Sequence, residues 1–588
     1  MVDIRIYRAA LLPALLALVV VMFSLEGRPP PRVSTLAPDA FDNEGAVATL
    51  DRLVERFPDR RAGGGGDAAV ADLVDGRFRG LGFQTARDGF TSDVDGDDVA
   101  MTNVVGTLSG RSQRQIVVMA HRDAARPPGA SSAGATAVLL ELATALAGVS
   151  HDKTLVFASV DGGEADSAGA RRFAERYPQR DKVDAVLVLD DIAAARPHRP
   201  YVIEWSSDSR RGSVQLVRSV ATALERETGT GSGSESAFGQ FVRQAWPLTL
   251  REQGPLLDDG IDAVTLTSRG ELPRRPQRDD RATVSELRLA MFAKAALGTI
   301  LALDAGGPEP SSPSYIVAGR NVIPGWSISL FVLALLAPPL AASLDGFARA
   351  RRRGRQVGRR MRWVLGASLP FLVVLAAARL FDLLGWLPGS ASEALAAPTR
   401  PTFGESAPAL GALAVLLVLG WALVRPLAAG RAGMVDDPSS PEAAIALALV
   451  LSLELFLLWL ATPFAVLLLL PVAHLAVLAA LPEPPASRGL AAAMVVAVLL
   501  LPAAVLFHYG GRLDLGLDLS RYALLLVTSA GTLWSIVIGS LIAGSLASGV
   551  IVATAARPRT EEAEITVRGP RTYAGPGSLG GTRSALRR

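Results

Sequence analysis

The chain has 588 residues, half of them hydrophobic, which is too long and too apolar for a single soluble domain. Its formal net charge of +3 comes from arginines clustered beside long apolar runs, a pattern that does not favour a nucleic-acid partner. The absence of cysteine excludes disulfides, thiolate metal ligands and cysteine nucleophiles. The composition therefore predicts a membrane protein.

The amino terminus contains an apolar run from Ala9 to Leu25 that follows Arg5 and Arg8. Such a run is typical of a signal peptide or of a membrane anchor. No small-x-small cleavage pattern follows Phe23, which favours an anchor at 9–25 with residues 1–8 in the cytoplasm.

Three apolar runs in the next part of the chain predict buried strands, at residues 116–120, 154–158 and 186–189. Continuous apolar runs are typical of strands that are covered on both faces. A segment of helical period, residues 136–146, lies between the first two runs. The order strand, helix, strand predicts an α/β domain with a mostly parallel central sheet flanked by helices.

Polar residues follow each of these strands where its apolar run stops. They are His121 and Asp123 after the first strand, Glu164 after the second and Asp190 after the third. Because ligands bind beyond the carboxyl ends of strands in open α/β sheets, we expect these four side chains to converge on one crevice.

The arrangement resembles the family of co-catalytic di-zinc aminopeptidases over roughly residues 45 to 300. The landmarks occur in the family's order: a first helix at 67–82, then Asn103-Val104-Val105-Gly106, His121-Arg122-Asp123, and Gly260-Ile261-Asp262-Ala263-Val264-Thr265. In this family an H-x-D motif supplies a zinc-ligand histidine and an aspartate that orients it. An aspartate then bridges two zinc ions, a Glu-Glu pair supplies base and ligand, and a later aspartate and a distal histidine complete the site.

The resemblance implies metal-site roles for several residues of this chain. His121 stands at the first ligand, Asp123 at its orienting aspartate and Asp190 at the later aspartate. Glu164 falls on the ligand glutamate and Gly163 on the base; if the alignment shifts by one residue, Glu164 becomes the catalytic base.

Other positions depart from the family pattern. Ser131 and Ser132 stand where the family has the bridging carboxylate, and Arg274 stands at the distal histidine. A zinc pair needs a bridging ligand and a general base, and a single zinc needs three or four protein ligands. We therefore expect zero or one zinc ion, and a site that is more consistent with a non-peptidase. For isolated residues, the alternative is that His121 and Asp190 only form a hydrogen bond at a strand end.

Arg274 suggests a further hypothesis, in which its guanidinium replaces a metal ion and pairs with Glu164 or Asp190. The alternative is that Arg274 is one of several solvated arginines on its loop.

The second half of the chain contains apolar runs of membrane length within a predicted all-α polytopic domain at 326–554. Seven spans are predicted, at residues 326–344, 363–384, 409–424, 443–461, 463–481, 490–507 and 522–554. Residues 555–588 are predicted to be a disordered cytoplasmic tail.

The orientation follows from the arginine-rich loop at 349–362, because short loops rich in arginine stay in the cytoplasm. Alternate crossings then place both termini inside and residues 26–325 outside, with the peptidase-like domain at 26–310. We expect a bacterial plasma membrane.

Two ionisable residues, Glu454 and His474, fall near the middle of adjacent predicted spans. Such groups are costly inside a membrane unless they are paired or hydrated. We expect them to face each other, either as a hydrogen-bonded pair that fixes a helical hairpin or as a proton or ligand relay.

The layout resembles the membrane-bound branch of the family, which includes endoplasmic-reticulum metallopeptidases and the peptidase-like subunit of the GPI transamidase. That resemblance is compatible with two functions. The favoured one is a non-catalytic subunit that binds a peptide or protein partner or assists assembly. The alternative is a zinc exopeptidase with an altered, mononuclear site on His121 and Asp190, and a transporter with an accessory domain is a weaker third hypothesis.

Overall fold

The computed structural model describes most of the chain. The described residues are 2–34, 40–94, 96–195, 199–272, 279–307, 313–388, 406–429, 438, 440–481, 488–516, 519–528 and 532–555. The predicted tail at 555–588 therefore lies almost entirely outside the described residues.

The first half of the chain forms an α/β domain around a seven-stranded sheet, and a small three-stranded sheet lies where this domain meets the helices that follow. The strands are β1 (Glu26–Gly27), β2 (Gln84–Val94), β3 (Asp97–Leu108), β4 (Ser112–His121), β5 (Lys153–Val160), β6 (Val183–Leu189), β7 (Tyr201–Ile203), β8 (Ala263–Thr267), β9 (Tyr315–Ala318) and β10 (Asn321–Pro324). The large sheet has the order β2-β3-β5-β4-β6-β8-β7, and the small one β1-β10-β9.

The three predicted strands are confirmed as β4, β5 and β6, which lie side by side and parallel at the centre of the sheet. The expectation of a mostly parallel sheet is wrong, because the sheet is mixed. β2 and β3 form an antiparallel hairpin that pairs with β5, and β7 is antiparallel to β8. Gly96, which directly precedes β3 in this hairpin, has a φ of 90°, a conformation that suits glycine in a tight turn.

Helices cover both faces of the large sheet. Their bounds are Asn43–Arg56, Gly65–Gly80, Ala130–Leu146, Ala168–Arg176, Val214–Thr228, Ala237–Ala245, Gln253–Asp258 and Glu286–Asp304. Alternate residues of β4 belong to different cores: Ile116 and Val118 to one, Val117 and Met119 to the other. Because both faces are buried, the strand is an unbroken apolar run.

The second half of the chain is an all-helical bundle, and the amino-terminal helices pack on it. The helices are Ile4–Ala9, Leu12–Phe23, Gly325–Arg352, Val357–Gly366, Leu369–Leu383, Ala407–Leu419, Arg425–Ala429, Pro441–Trp459, Pro463–Ala479, Arg488–Arg512, Leu519–Thr528 and Leu533–Thr554, with a π-helical turn at Gly420–Val424. In the described part of the chain, seven helical segments are long and apolar enough to cross a membrane.

Two of the predicted spans differ from the structure in length. The span at 463–481 is the 17-residue helix Pro463–Ala479, which is shorter than the seven long segments. The long run at 522–554 is two helices, which end at Thr528 and begin at Leu533.

The α/β domain is fixed on one end of the bundle by a surface that we call the seat, formed by Glu235, the helix Ala237–Ala245 and Trp246. Glu235 forms an ion pair of 2.8 Å with Arg512. The hydroxyl of Tyr509 donates a 2.6 Å hydrogen bond to the carbonyl of Trp246. The arginine-rich loop lies at the other end of the bundle. The helix Gly325–Arg352 begins near the α/β domain and ends at this loop, and it is about 42 Å long at 1.5 Å per residue.

The expected contact between Glu454 and His474 does not form. The Nδ1 atom of His474 lies 2.7 Å from the hydroxyl of Tyr7, and its Nε2 atom lies 3.1 Å from the carbonyl of Leu335. Glu454 instead interacts with Ser545. The two residues face different helices because His474 contacts Tyr7 of the amino-terminal helix. The sequence did not indicate that this helix packs on the bundle.

Candidate functional site

The carboxyl ends of the three central strands bring the predicted site residues to one edge of the sheet. His121 is the last residue of β4, and Asp190 directly follows β6. Glu164 lies four residues beyond β5 and is partly exposed. His121, Asp123 and Asp190 are all buried.

Asp123 holds one side of the His121 ring. Its Oδ1 atom lies 3.3 Å from His121 Nδ1, and its carboxylate accepts hydrogen bonds from the N–H groups of Gly163 (2.8 Å) and Glu164 (2.9 Å). Burial alone raises the pKa of Asp123, but the hydrogen bonds from His121 and from these two N–H groups outweigh burial and keep the pKa below its usual value. Asp123 is thus an ionised group that orients His121.

The other side of the His121 ring faces two carboxylates. His121 Nε2 lies 3.4 Å from Asp190 Oδ1 and 3.9 Å from Glu252 Oε1. The sequence did not indicate Glu252, which belongs to no recognised motif and immediately precedes the short helix Gln253–Asp258.

A buried arginine occupies the space beside these carboxylates. Arg251 Nη1 lies 2.8 Å from Asp190 Oδ2, and Arg251 Nη2 donates a 2.9 Å hydrogen bond to the carbonyl of Leu272. The side chains of Arg251 and Asp190 are each 2% exposed. A guanidinium therefore supplies the positive charge that balances Asp190, and it comes from Arg251. Arg274, for which we predicted this contact, lies outside the described residues.

Gly163 is in contact with the His121 ring. A Cβ atom on Gly163 would lie 2.3 Å from His121 Cγ and 2.4 Å from His121 Cβ, closer than packed carbon atoms approach each other. A general base cannot stand at position 163 while His121 keeps this orientation.

The two serines at the expected place of a bridging carboxylate contact other charged groups. Ser131 donates to Asp279 from its backbone N–H (2.9 Å) and from its hydroxyl (2.8 Å). The hydroxyl of Ser132 accepts a 3.2 Å hydrogen bond from the buried Arg60 and donates to the carbonyl of Gly129. Burial lowers the pKa of Arg60, although Asp279 and Asp123 partly offset this effect.

A second buried charge cluster lies behind the crevice. Arg122 Nη2 lies 2.6 Å from Asp67 Oδ2 and 3.3 Å from Asp161 Oδ2. Burial raises the pKa of both carboxyl groups, that of Asp67 to about 8, and Arg122 only partly offsets it. One guanidinium shared by two carboxyl groups favours retention of a proton on the pair.

Comparisons with known proteins agree with this fold. Residues 103–245 match the model of peptidase family M28. This match covers the strands β4, β5 and β6 and the site residues His121 to Asp190, so we call the α/β domain built on the seven-stranded sheet the M28-like domain. No curated protein matches the chain.

Several solved structures resemble the M28-like domain. A glutaminyl cyclase from Fimbriiglobus ruber is 19% identical, and the alignment covers 47% of this chain and 99% of the cyclase with a TM-score of 0.38. A zinc aminopeptidase from Bacillus subtilis is 13% identical over 45% of this chain and 96% of its own, with a TM-score of 0.38. A glutaminyl cyclase from Porphyromonas gingivalis is 18% identical over 45% and 97%, with a TM-score of 0.35.

The donor groups of the M28-like domain do not fit a zinc ion as they stand. Within the described ranges no three His, Asp or Glu side chains form a group that could hold a metal ion. Arg251 also disfavours zinc, because a guanidinium 2.8 Å from Asp190 repels a dication and uses a carboxylate that zinc would need.

Proposed function

We propose that this chain is a membrane-anchored M28-like protein that binds a peptide or protein partner, or assists assembly, without hydrolysing a peptide bond. The observation that carries the proposal is the ion pair between Arg251 and Asp190. It places a permanent positive charge beside Asp190, which stands at the position of a zinc ligand in the resemblance.

The groups that hydrolysis would require support the same proposal. No carboxylate stands at Gly163, and the side chain of His121 leaves no room for one there. General-base catalysis typically contributes about a hundredfold to ten-thousandfold to the rate. Without it, a buried crevice of paired charges is better suited to binding than to turnover.

One observation favours a second candidate, an exopeptidase with one zinc ion. Oxygen atoms of Asp190 and Glu252 lie 3.4 Å and 3.9 Å from Nε2 of His121. A catalytic zinc site uses three protein ligands. This candidate requires the guanidinium of Arg251 to leave Asp190. Glu164 is the carboxylate that would then act as base.

We also propose that the bundle lies in a bacterial plasma membrane, with both termini in the cytoplasm and the M28-like domain outside. Seven long apolar helical segments among the described residues support membrane insertion. The arginine-rich loop at the bundle end opposite the M28-like domain supports the orientation.

The test is metal content and turnover of the purified full-length protein, with His121→Ala as the control. We expect well below one zinc per chain, and release of amino-terminal residues from peptides no faster than in His121→Ala. About one zinc per chain that is lost in His121→Ala, with chelator-sensitive turnover that is lost in Glu164→Ala, would instead establish the exopeptidase.

A further inference from the structure

Glu454 is a buried carboxyl residue of the helical bundle, outside the M28-like domain. Glu454 lies thirteen residues after the start of the helix Pro441–Trp459, or about 20 Å along it. The residue is 4% exposed, and both of its side-chain oxygens are fully buried.

Glu454 lies next to a serine of a neighbouring helix. Glu454 interacts with Ser545 of the helix Leu533–Thr554, although neither carboxyl oxygen has a hydrogen bond of normal geometry. Ser548 lies three residues further along that helix, on the same face, and its hydroxyl is also buried without a hydrogen-bond partner.

The ionisable groups of the helices packed on Pro441–Trp459 do not neutralise Glu454. The helix Leu533–Thr554 has no ionisable residue. Pro463–Ala479 contributes only His474, whose ring nitrogens contact Tyr7 and Leu335. The remaining ionisable residues are in Gly325–Arg352 and Val357–Gly366; they are Asp345, Arg349, Arg351, Arg352, Arg359, Arg360 and Arg362. Across the described part of the bundle, none of these groups forms an ion pair with Glu454.

The balance of charge and hydrogen bonding favours a bound proton at this position. A lone carboxylate in an apolar interior is costly, and a group in this situation becomes neutral instead. A protonated carboxyl group has an O–H that can donate to a serine hydroxyl. A hard metal cation fits this position less well than a proton, because it takes about six or more oxygen atoms and the carboxyl group with Ser545 and Ser548 offers at most four.

We propose that Glu454 and Ser545 form a proton-binding site inside the bundle. The neutral carboxyl group of Glu454 donates a hydrogen bond to Ser545 and so links the helices Pro441–Trp459 and Leu533–Thr554. Loss of the proton leaves a negative charge in an apolar contact and weakens the packing of these two helices. The bundle is thereby a proton-responsive element as well as an anchor, whatever the M28-like domain binds.

The first experiment is labelling of the full-length protein in membranes with dicyclohexylcarbodiimide, which adds to protonated carboxyl groups in apolar surroundings. Glu442 is a matched control, since it lies in the first turn of the same helix but forms an ion pair with Arg355. We expect mass spectrometry to find the label on Glu454 and not on Glu442. We also expect loss of that label in Glu454→Gln and as the pH is raised. Protection of Glu454 by sodium ions at constant pH would overturn the proposal in favour of a cation site.

A second experiment does not depend on access of the reagent. Because the folded protein favours neutral Glu454, the wild-type melting temperature in detergent should fall as the pH rises from 6 to 9. Glu454→Gln, which is neutral at every pH and nearly isosteric, should lose that part of the fall. Equal pH dependence of the two proteins would overturn the proposal, whether or not Glu454 is labelled.

Discussion

The ion pair between Arg251 and Asp190 predicts that Arg251 stabilises the M28-like domain and keeps zinc from binding at Asp190. The carboxylate of Asp190 is 2% exposed, and Arg251→Ala removes its ion pair with the guanidinium. Removal of one partner of a buried ion pair typically costs about 3–5 kcal/mol, because the other charge is left uncompensated. We therefore expect Arg251→Ala to lower the free energy of unfolding of the M28-like domain by that amount.

A control variant isolates the effect of burial. Arg61 and Asp59 also form an ion pair of 2.8 Å, but their side chains are 70% and 50% exposed. Loss of an exposed pair typically costs less than about 1 kcal/mol, so Arg61→Ala should have little effect. Urea unfolding of the full-length protein in mild detergent, followed by pulse proteolysis of the M28-like domain, measures both variants.

The effect of added zinc on the unfolding of Arg251→Ala is a second measurement. Without the guanidinium, we expect His121, Asp190 and Glu252 to act together as three zinc ligands. Added zinc should then stabilise Arg251→Ala by about 2.7 kcal/mol when its free concentration is a hundred times the dissociation constant. Zinc should stabilise neither the wild type nor the double variant with His121→Ala. The reasoning is refuted if Arg251→Ala unfolds like Arg61→Ala, or if zinc stabilises the wild type equally.

Three further predictions follow from other parts of the chain. Gly163→Ala should lower the free energy of unfolding by about 1–3 kcal/mol, the usual cost of overpacking, because its Cβ would collide with His121; urea unfolding measures this cost. Since the pKa of Asp67 is raised from 3.8 to about 8, wild-type stability should fall as the pH rises from about 4 to 8. The slope should be at most about 1.4 kcal/mol per pH unit, the value for one proton, and it should be smaller in Asp67→Asn. A single cysteine at Ser234 should react with an impermeant maleimide in intact cells, whereas one at Arg353 should react only after permeabilisation.

Each of these predictions has an outcome that contradicts it. Gly76 is a matched control for Gly163, since a Cβ there meets no atom within 4 Å; Gly76→Ala should be neutral or stabilising, and equal effects at both positions would argue against the collision. A pH dependence that is unchanged in Asp67→Asn would locate the extra proton elsewhere. Reaction at Arg353 in intact cells, with none at Ser234, would reverse the proposed orientation.

The centre of the fold could be predicted because its signals are local in the sequence. Each of β4, β5 and β6 is an apolar run that stops at polar residues, and parallel strands bring those stops to one edge. His121 and Asp190 are 69 residues apart, yet each is placed by its own strand. The mixed character of the sheet was not predicted because neither β2 nor β3 has a long continuous apolar run. No residue of the edge strand β2 is buried, and the polar Asn103 lies among the buried residues of β3.

The partner of Asp190 could not be predicted in the same way. Arg251 lies in an irregular segment before a six-residue helix, and neither periodicity nor a motif distinguishes it from the other arginines of the chain. Its contact depends on the path of the backbone between β7 and β8. The contact between Gly163 and His121 is equally non-local, because it joins the loop after β5 to the end of β4.

The seat of the M28-like domain has a consequence for biosynthesis. Val242, Ala245 and Leu248 belong to the same apolar core as Val505 and Tyr509 of the helix Arg488–Arg512. The ribosome makes residues 237–246 more than 240 residues before it reaches 488. At about 5–20 residues per second, roughly ten to fifty seconds pass between the synthesis of this apolar face and the synthesis of the helix Arg488–Arg512, which covers part of it. During that interval the nascent domain exposes a hydrophobic surface, so helices that are synthesised much later complete a domain that has already begun to fold.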